Sequence, residues 1–150
     1  IEIKAGPRLK EALAGPFHLN VTSYNRLVLI TGEVGSEGDR EAAEKAVTAI
    51  DNVRSVVNEA AVMDASSLTQ RSNDALITSK VKATFIDNGN VDANAVKVVT
   101  ERGVVYLLGR VTEREADKAA EVTRAVGGVQ KVVRVFEVIS EAELKALEKR

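Results

Sequence analysis

The strongest constraint on the fold is that the chain repeats itself once. Residues 21–34 align with residues 98–111, and further along residues 49–57 align with residues 125–133. A repeat of about 65 residues predicts two small domains in tandem rather than a solenoid. Domains of this size are only marginally stable alone, so we expect the two to dock.

The sheet of the second copy is predicted to begin with a β-hairpin. Residues 96–100 and 104–108 are short runs rich in β-branched and apolar side chains, which favour strands. Residues 101–103 (Glu-Arg-Gly) lie between them, and the glycine tolerates the positive φ that a tight hairpin requires.

Two helices and a third strand complete this copy. Thr112 and Glu115 are spaced as a capping box, which opens a helix that we expect to end near Val126. A third strand is predicted over residues 129–139. The helix that precedes the hairpin is predicted over residues 74–87.

The first copy contains the same signals in a weaker form. Asn25 suits the hairpin turn, Ser36 suits a helix cap, and residues 53–62 are predicted to form the third strand. Its first helix is predicted to be short, over residues 7–14, because a Gly-Pro pair follows it directly.

The element order is therefore αββαβ, given twice, and the predicted fold class is α+β. Each domain should hold a three-stranded mixed sheet with two helices packed on one face. Ser140 and Glu143 cap a last short helix, with Leu144 and Leu147 on one side. The predicted organisation is a first domain over 1–63, a polar linker over 64–71, a second domain over 72–140 and a C-terminal helix over 141–150.

Composition excludes several kinds of chemistry. The chain contains no cysteine and a single histidine, His18, so a zinc or iron site built from these residues is not expected. No Asp-rich calcium loop occurs either, and we predict no metal and no cofactor. No acid, base and nucleophile are spaced for catalysis, so the chain is not expected to be an enzyme.

Two short motifs have better structural explanations than functional ones. Residues 79–82 match the S-x-x-K nucleophile motif, but no K-T-G follows in this short chain. Residues 32–35 match G-x-x-G, yet they follow a strand and are surrounded by acidic side chains, unlike a nucleic-acid loop. Gly32 and Gly109 align in the repeat, which indicates a bulge or a close approach of a helix to the strand. With few, scattered aromatic residues, no nucleic-acid partner is expected.

The helix predicted over 74–87 has two apolar sides. At about 100° per residue, Ile77, Val81 and Phe85 share the side expected to pack on the sheet. The side turned away from the sheet carries a second strip, bordered by two lysines: Leu76, Ser79, Lys80, Lys82, Ala83 and Ile86.

This second strip has two explanations. Apolar residues bordered by lysines are typical of a helix that lies on an anionic bilayer, because lysine stems can bury while the ammonium meets phosphate. Alternatively, Leu76 and Ile86 pack on the other domain, or they are scattered surface residues of the kind that every protein has.

The same segments carry a family resemblance. Residues 72–82, 96–103, 109–115 and 126–129 resemble a BON domain (bacterial OsmY and nodulation domain), and residues 17–63 resemble a diverged second one. A chain made of two such domains is similar to the dual-BON outer-membrane lipoproteins of Gram-negative bacteria.

The resemblance implies a non-catalytic protein that supports outer-membrane integrity. It implies that the second BON domain binds anionic, phosphatidylglycerol-like phospholipid, which favours the membrane explanation of the strip. It also implies a periplasmic location, at the inner leaflet of the outer membrane if the missing N-terminus carried a lipobox. The chain begins at Ile1 rather than Met, and we expect a trimmed product.

A second hypothesis is a periplasmic protein-interaction or chaperone-like module. Such a module would act on outer-membrane proteins or their assembly machinery, with an exposed strand edge pairing with a strand of the partner.

Overall fold

A computed structural model describes residues 1–89 and 91–148, with side chains up to residue 146. The chain forms two compact units, Ile1–Ser67 and Leu68–Arg150. Each unit combines helices with a small mixed sheet, which confirms the α+β class. The predicted position of Leu147 in the last helix, and residues 149–150, lie outside this description.

The first unit contains two helices and four strands. In chain order they are α1 (Glu2–Ala12), β1 (Phe17–Tyr24), β2 (Leu27–Val34), α2 (Glu37–Thr48), β3 (Ser55–Asn58) and β4 (Ala61–Val62). Strand β2 is central: it pairs antiparallel with β1 and parallel with both β3 and β4. The predicted turn residue Asn25 has a φ of 49°, and Ser36 accepts the N–H of Asp39 as the cap of α2.

The predicted continuous strand over residues 53–62 was wrong, because the strand is broken between Asn58 and Ala61. Arg40 of α2 holds the break: its Nε donates to the carbonyl of Ala60 at 3.0 Å and its Nη2 to that of Asn58 at 2.8 Å. The Asn58 side chain also accepts the N–H of Ala60 at 3.2 Å. These contacts satisfy backbone groups that an unbroken ladder would have used.

Helix α1 was also predicted incorrectly, since it begins at Glu2 and runs through Pro7. A proline inside a helix lacks one backbone donor and is unfavourable in isolation. Here Ala5 and Leu9 are buried on the same side of the helix, before and after the proline. Tertiary packing therefore outweighs the local preference.

The second unit contains three helices and three strands. They are α3 (Leu68–Asp87), β5 (Lys97–Glu101), β6 (Val104–Val111), α4 (Glu113–Arg124), β7 (Lys131–Val138) and α5 (Glu141–Glu148). Strand β6 is central, antiparallel to β5 and parallel to β7. The predicted hairpin turn is confirmed, with φ values of 52° at Arg102 and 76° at Gly103.

The predicted caps of the second unit are present. Thr112 accepts the N–H of Glu115, and the Glu115 carboxylate accepts the N–H of Thr112, which completes the capping box of α4. Ser140 and Glu143 exchange the same pair of bonds ahead of α5. Helix α5 is tied back to α4 because Arg114 donates to Glu141 at 3.2 Å, and this bond raises the pKa of the Arg114 guanidinium.

Helix α3 begins at Leu68, earlier than the predicted Asp74. Residues 68–71, predicted as the end of a linker, are therefore its first turn. None of these residues is glycine or proline, so nothing in their backbone chemistry stops the helix from extending toward the N-terminus.

The core of the second unit lies between its sheet and the helices α3 and α4. Ile77, Val81 and Phe85 of α3 are at most 1% exposed. They share one cluster with Val105 and Leu107 of β6, and with the small residues Ala116 and Ala119 of α4. The small side chains let α4 approach closely, while the larger ones of α3 fill the remaining volume. Both helices therefore pack on one face of the sheet, as predicted.

Gly32 and Gly109 each lie against the backbone of a neighbouring segment: strand β1 at His18 for Gly32, and the turn before β5 at Ala95 for Gly109. Of the two explanations expected from the sequence, a close approach is present, but it is made to these segments and not to a helix. Their φ values are +117° and +149°. A Cβ at Gly32 would collide with the carbonyl oxygen of His18, and a Cβ at Gly109 with that of Ala95. Only glycine combines this backbone angle with this contact.

Candidate functional site

The rotation of α3 is fixed by its polar contacts with the hairpin. The buried Asp74 carboxylate accepts the N–H of Arg102 at 2.8 Å and the N–H of Gly103 at 2.9 Å. One turn later, the hydroxyl of Thr78 bonds that of Thr100 at 2.8 Å. Together with the apolar side of α3, these bonds determine which residues of the helix remain outside the core.

The residues left outside are those of the second strip. We call them the outer face of α3: Leu76, Ser79, Lys80, Lys82, Ala83 and Ile86. All six side chains are exposed, and the two large apolar ones, Leu76 and Ile86, are 52% and 73% exposed. The structure thus leaves them accessible to a partner, while their role stays a prediction.

Leu68 extends the same surface and was missed from the sequence. It is 79% exposed, and at about 100° per residue it points in nearly the same direction as Ile86. The sequence signal that could have identified Leu68 was an apolar residue at the same helical angle as Ile86. It went unused because residues 68–71 were assigned to the linker.

The polar side chains of the outer face differ in whether they have partners in the described part of the chain. Among the residues that the structure describes, neither Lys80 nor Lys82 forms an ion pair. The Ser79 hydroxyl instead donates back to the carbonyl of Ala75 at 3.2 Å. A hydroxyl that bonds its own helix is cheaper to move out of water than a free one.

This arrangement supports association rather than bond chemistry. The six residues offer apolar surface and two cations, and they include no histidine or carboxylate for proton transfer. Among the described residues, no helix combines the length and the hydropathy needed to cross a bilayer.

The single histidine of the chain, His18, contacts a buried carboxylate in the first unit. Its Nδ1 lies 3.3 Å from Glu33 Oε1, and the same oxygen accepts the N–H of Ser66 at 2.7 Å. The buried carboxylate thus ties β1 and the end of the unit to β2, which is a structural function.

Both units contain the order helix, two strands, helix and strand, and each has a glycine at the same place in its central strand that contacts neighbouring backbone. The chain is therefore a protein of two small domains in tandem. Two stretches, residues 6–64 and 73–140, match the BON domain family. The chain belongs to the BON domain family, as its sequence resemblance indicated.

Three curated relatives illustrate that family. The chain is 36% identical over 121 residues to "Outer membrane lipoprotein DolP" of Haemophilus influenzae, and equally identical over the same length to "21 kDa hemolysin" of Actinobacillus pleuropneumoniae. It is 32% identical over 117 residues to "Osmotically-inducible protein Y" of Escherichia coli.

The matches cover more of this chain than of the relatives. They span 81%, 81% and 76% of this chain, but 63%, 62% and 58% of the respective relatives. The chain therefore accounts for somewhat under two thirds of the length of each of these proteins.

Proposed function

We propose that this chain is a non-catalytic protein of the bacterial cell envelope that binds anionic phospholipid through the outer face of α3. The observation that carries the proposal is the exposure of Leu76 and Ile86 beside two lysines that form no ion pair with any residue in the described part of the chain. The relatives support the location, since one is named an outer membrane lipoprotein. The protein would face the periplasm and support outer-membrane integrity, at the inner leaflet if its precursor carries a lipobox.

The energetics suit a reversible surface contact. Fully burying a leucine or isoleucine side chain contributes about 1.5–3 kcal/mol, and each lysine near an anionic surface contributes about 1 kcal/mol. Part of this is lost because the side chains are already partly covered. The sum is enough for weak binding, and its lysine part is screened by salt.

Flotation with vesicles containing phosphatidylglycerol tests the proposal. The double variant Leu76→Glu/Ile86→Glu places two negative charges on the outer face of α3, and it should stay unbound while the wild type floats with the vesicles. Because both side chains are exposed, the fold should remain intact, which circular dichroism can check.

The matched control is Ile3→Glu on α1, since Ile3 is 92% exposed and lies in the other unit. It should bind as the wild type does. Wild-type binding by the double variant with an intact fold would refute the lipid role. Envelope crosslinks that survive lipid removal would instead favour the protein-interaction hypothesis.

A further inference from the structure

One of the two outer strands of the second sheet, β7, has an edge that pairs with no other strand among the described residues. The sheet order is β5-β6-β7, and among the described strands β7 pairs only with β6. Strand β7 is eight residues long and unbroken. Alternate residues of such an edge turn their N–H and C=O groups outward, where a further strand can pair with them.

The charge pattern of β7 complements itself when two copies run antiparallel. With Arg134 on a two-fold axis, Lys131 would face Glu137 of the second copy, and Val132 would face Phe136 of the second copy. Glu137 also lies 3.7 Å from Arg110 of its own chain, so Lys131 would join an existing ion pair. Opposite charges and apolar pairs directly across two strands are both favourable. Because the two-fold axis repeats each contact, the dimer would contain two Lys131–Glu137 pairs.

The charge on the axis is already neutralised. Arg134 Nη2 lies 2.9 Å from Asp117 Oδ1 and 3.6 Å from Glu113 Oε1, so each arginine is held against acidic side chains of α4. The repulsion between two copies of Arg134 is reduced accordingly. Lys131 is exposed and, within the described part of the chain, forms no ion pair.

From this pattern we propose that a second copy of the chain occupies the β7 edge, joining two three-stranded sheets into one continuous sheet. The equivalent edge in the first unit is broken into β3 and β4, which are four and two residues long. The contact is isologous, so it closes as a dimer instead of extending into a filament.

Sedimentation of the full chain without lipid tests the contact. The wild type should dimerise with a Kd of about 10–100 µM, as suits one strand pair. Lys131→Glu opposes Glu137 of the second copy and should weaken dimerisation at least tenfold. Lys145→Glu makes the same change of charge on exposed α5 and should leave the Kd unchanged.

The register can be tested separately because the chain contains no cysteine. Directly opposed residues of antiparallel strands have Cα atoms about 4.5–5.5 Å apart, which is within disulfide range. Arg134→Cys should therefore form a disulfide dimer on mild oxidation, and the control Arg124→Cys on α4 should not. A wild type that stays monomeric up to about 1 mM, or equal crosslinking by the two variants, overturns the proposal.

Discussion

The two units repeat one fold but differ in their first helix. Helix α1 has 11 residues and contains Pro7, whereas α3 has 20 residues without proline. On α1 the one large exposed apolar side chain among the described residues is Ile3, while α3 exposes Leu68, Leu76 and Ile86. Both helices therefore bury one side, and among the described residues only α3 carries several large apolar side chains on the side turned to solvent.

The same helices also differ in how they are attached to their hairpins. Asp74 of α3 is 5% exposed and accepts two turn N–H groups. Glu2 of α1 occupies the corresponding place, and its Oε1 accepts the N–H of Ser23 at 2.7 Å in an exposed position. The orientation of α3 is therefore more firmly fixed than that of α1, which matters if one side of α3 has to face a membrane.

The largest expected loss of stability comes from replacing the glycine that both units have in their central strand. Gly109→Ala and Gly32→Ala should each destabilise their own unit by on the order of 3–5 kcal/mol, because a positive φ and a backbone collision coincide. Thermal melting and amide NMR signals of each unit measure this loss. Gly127→Ala is the control, since a Cβ there meets nothing within 4 Å. Tolerance of only one of the two alanines would show that the glycines are not equivalent.

A smaller loss of stability is expected when the side chains that attach α3 and α1 to their hairpins are removed. Asp74→Ala leaves the N–H groups of Arg102 and Gly103 without their acceptor and should cost about 2–4 kcal/mol. Glu2→Ala removes the exposed bond to the N–H of Ser23 and should cost less than about 1 kcal/mol, because exposed contacts contribute little. Chemical denaturation measures both.

Asp74→Asn keeps one accepting oxygen, so its stability should lie between those of the wild type and Asp74→Ala. Equal losses for Asp74→Ala and Glu2→Ala would contradict the view that α3 is the more firmly held helix.

Features encoded by neighbouring residues were predictable from the sequence. The capping box of Thr112 and Glu115 needs only three residues of spacing, and the turn at Gly103 needs only a residue that accepts positive φ. Which residues of α3 lie on its packing side and which on its outer face follows from helix geometry alone. The orientation of the outer face away from the sheet could therefore be predicted before any contact was known, whereas its exposure to solvent could not.

Features that depend on distant contacts were not predictable. The break after Asn58 relies on Arg40, which is 18 residues away in the chain. The start of α1 relies on burial that outweighs an internal proline, and the start of α3 at Leu68 has no strong local signal. In each case tertiary structure decided between local conformations of similar energy.

The smallest expected effect is a change in lipid affinity. It compares the solvent-facing side of α3 with that of α1. Leu76→Trp places an indole at the edge of the outer face of α3, where tryptophan prefers the membrane interface over leucine. It should increase binding to phosphatidylglycerol vesicles by about threefold to tenfold, which corresponds to about 0.7–1.4 kcal/mol. Tryptophan fluorescence should shift to the blue on binding, because the chain has no other tryptophan.

Ile3→Trp is the matched variant on α1, at a position even more exposed than Leu76. If the membrane contact belongs to α3 alone, this indole should show no vesicle-dependent shift and no gain in affinity. An equal response from both tryptophans would mean that any exposed aromatic residue on this protein inserts. The strip and its lysines would then have no special role, and the difference between the two helices would concern stability alone.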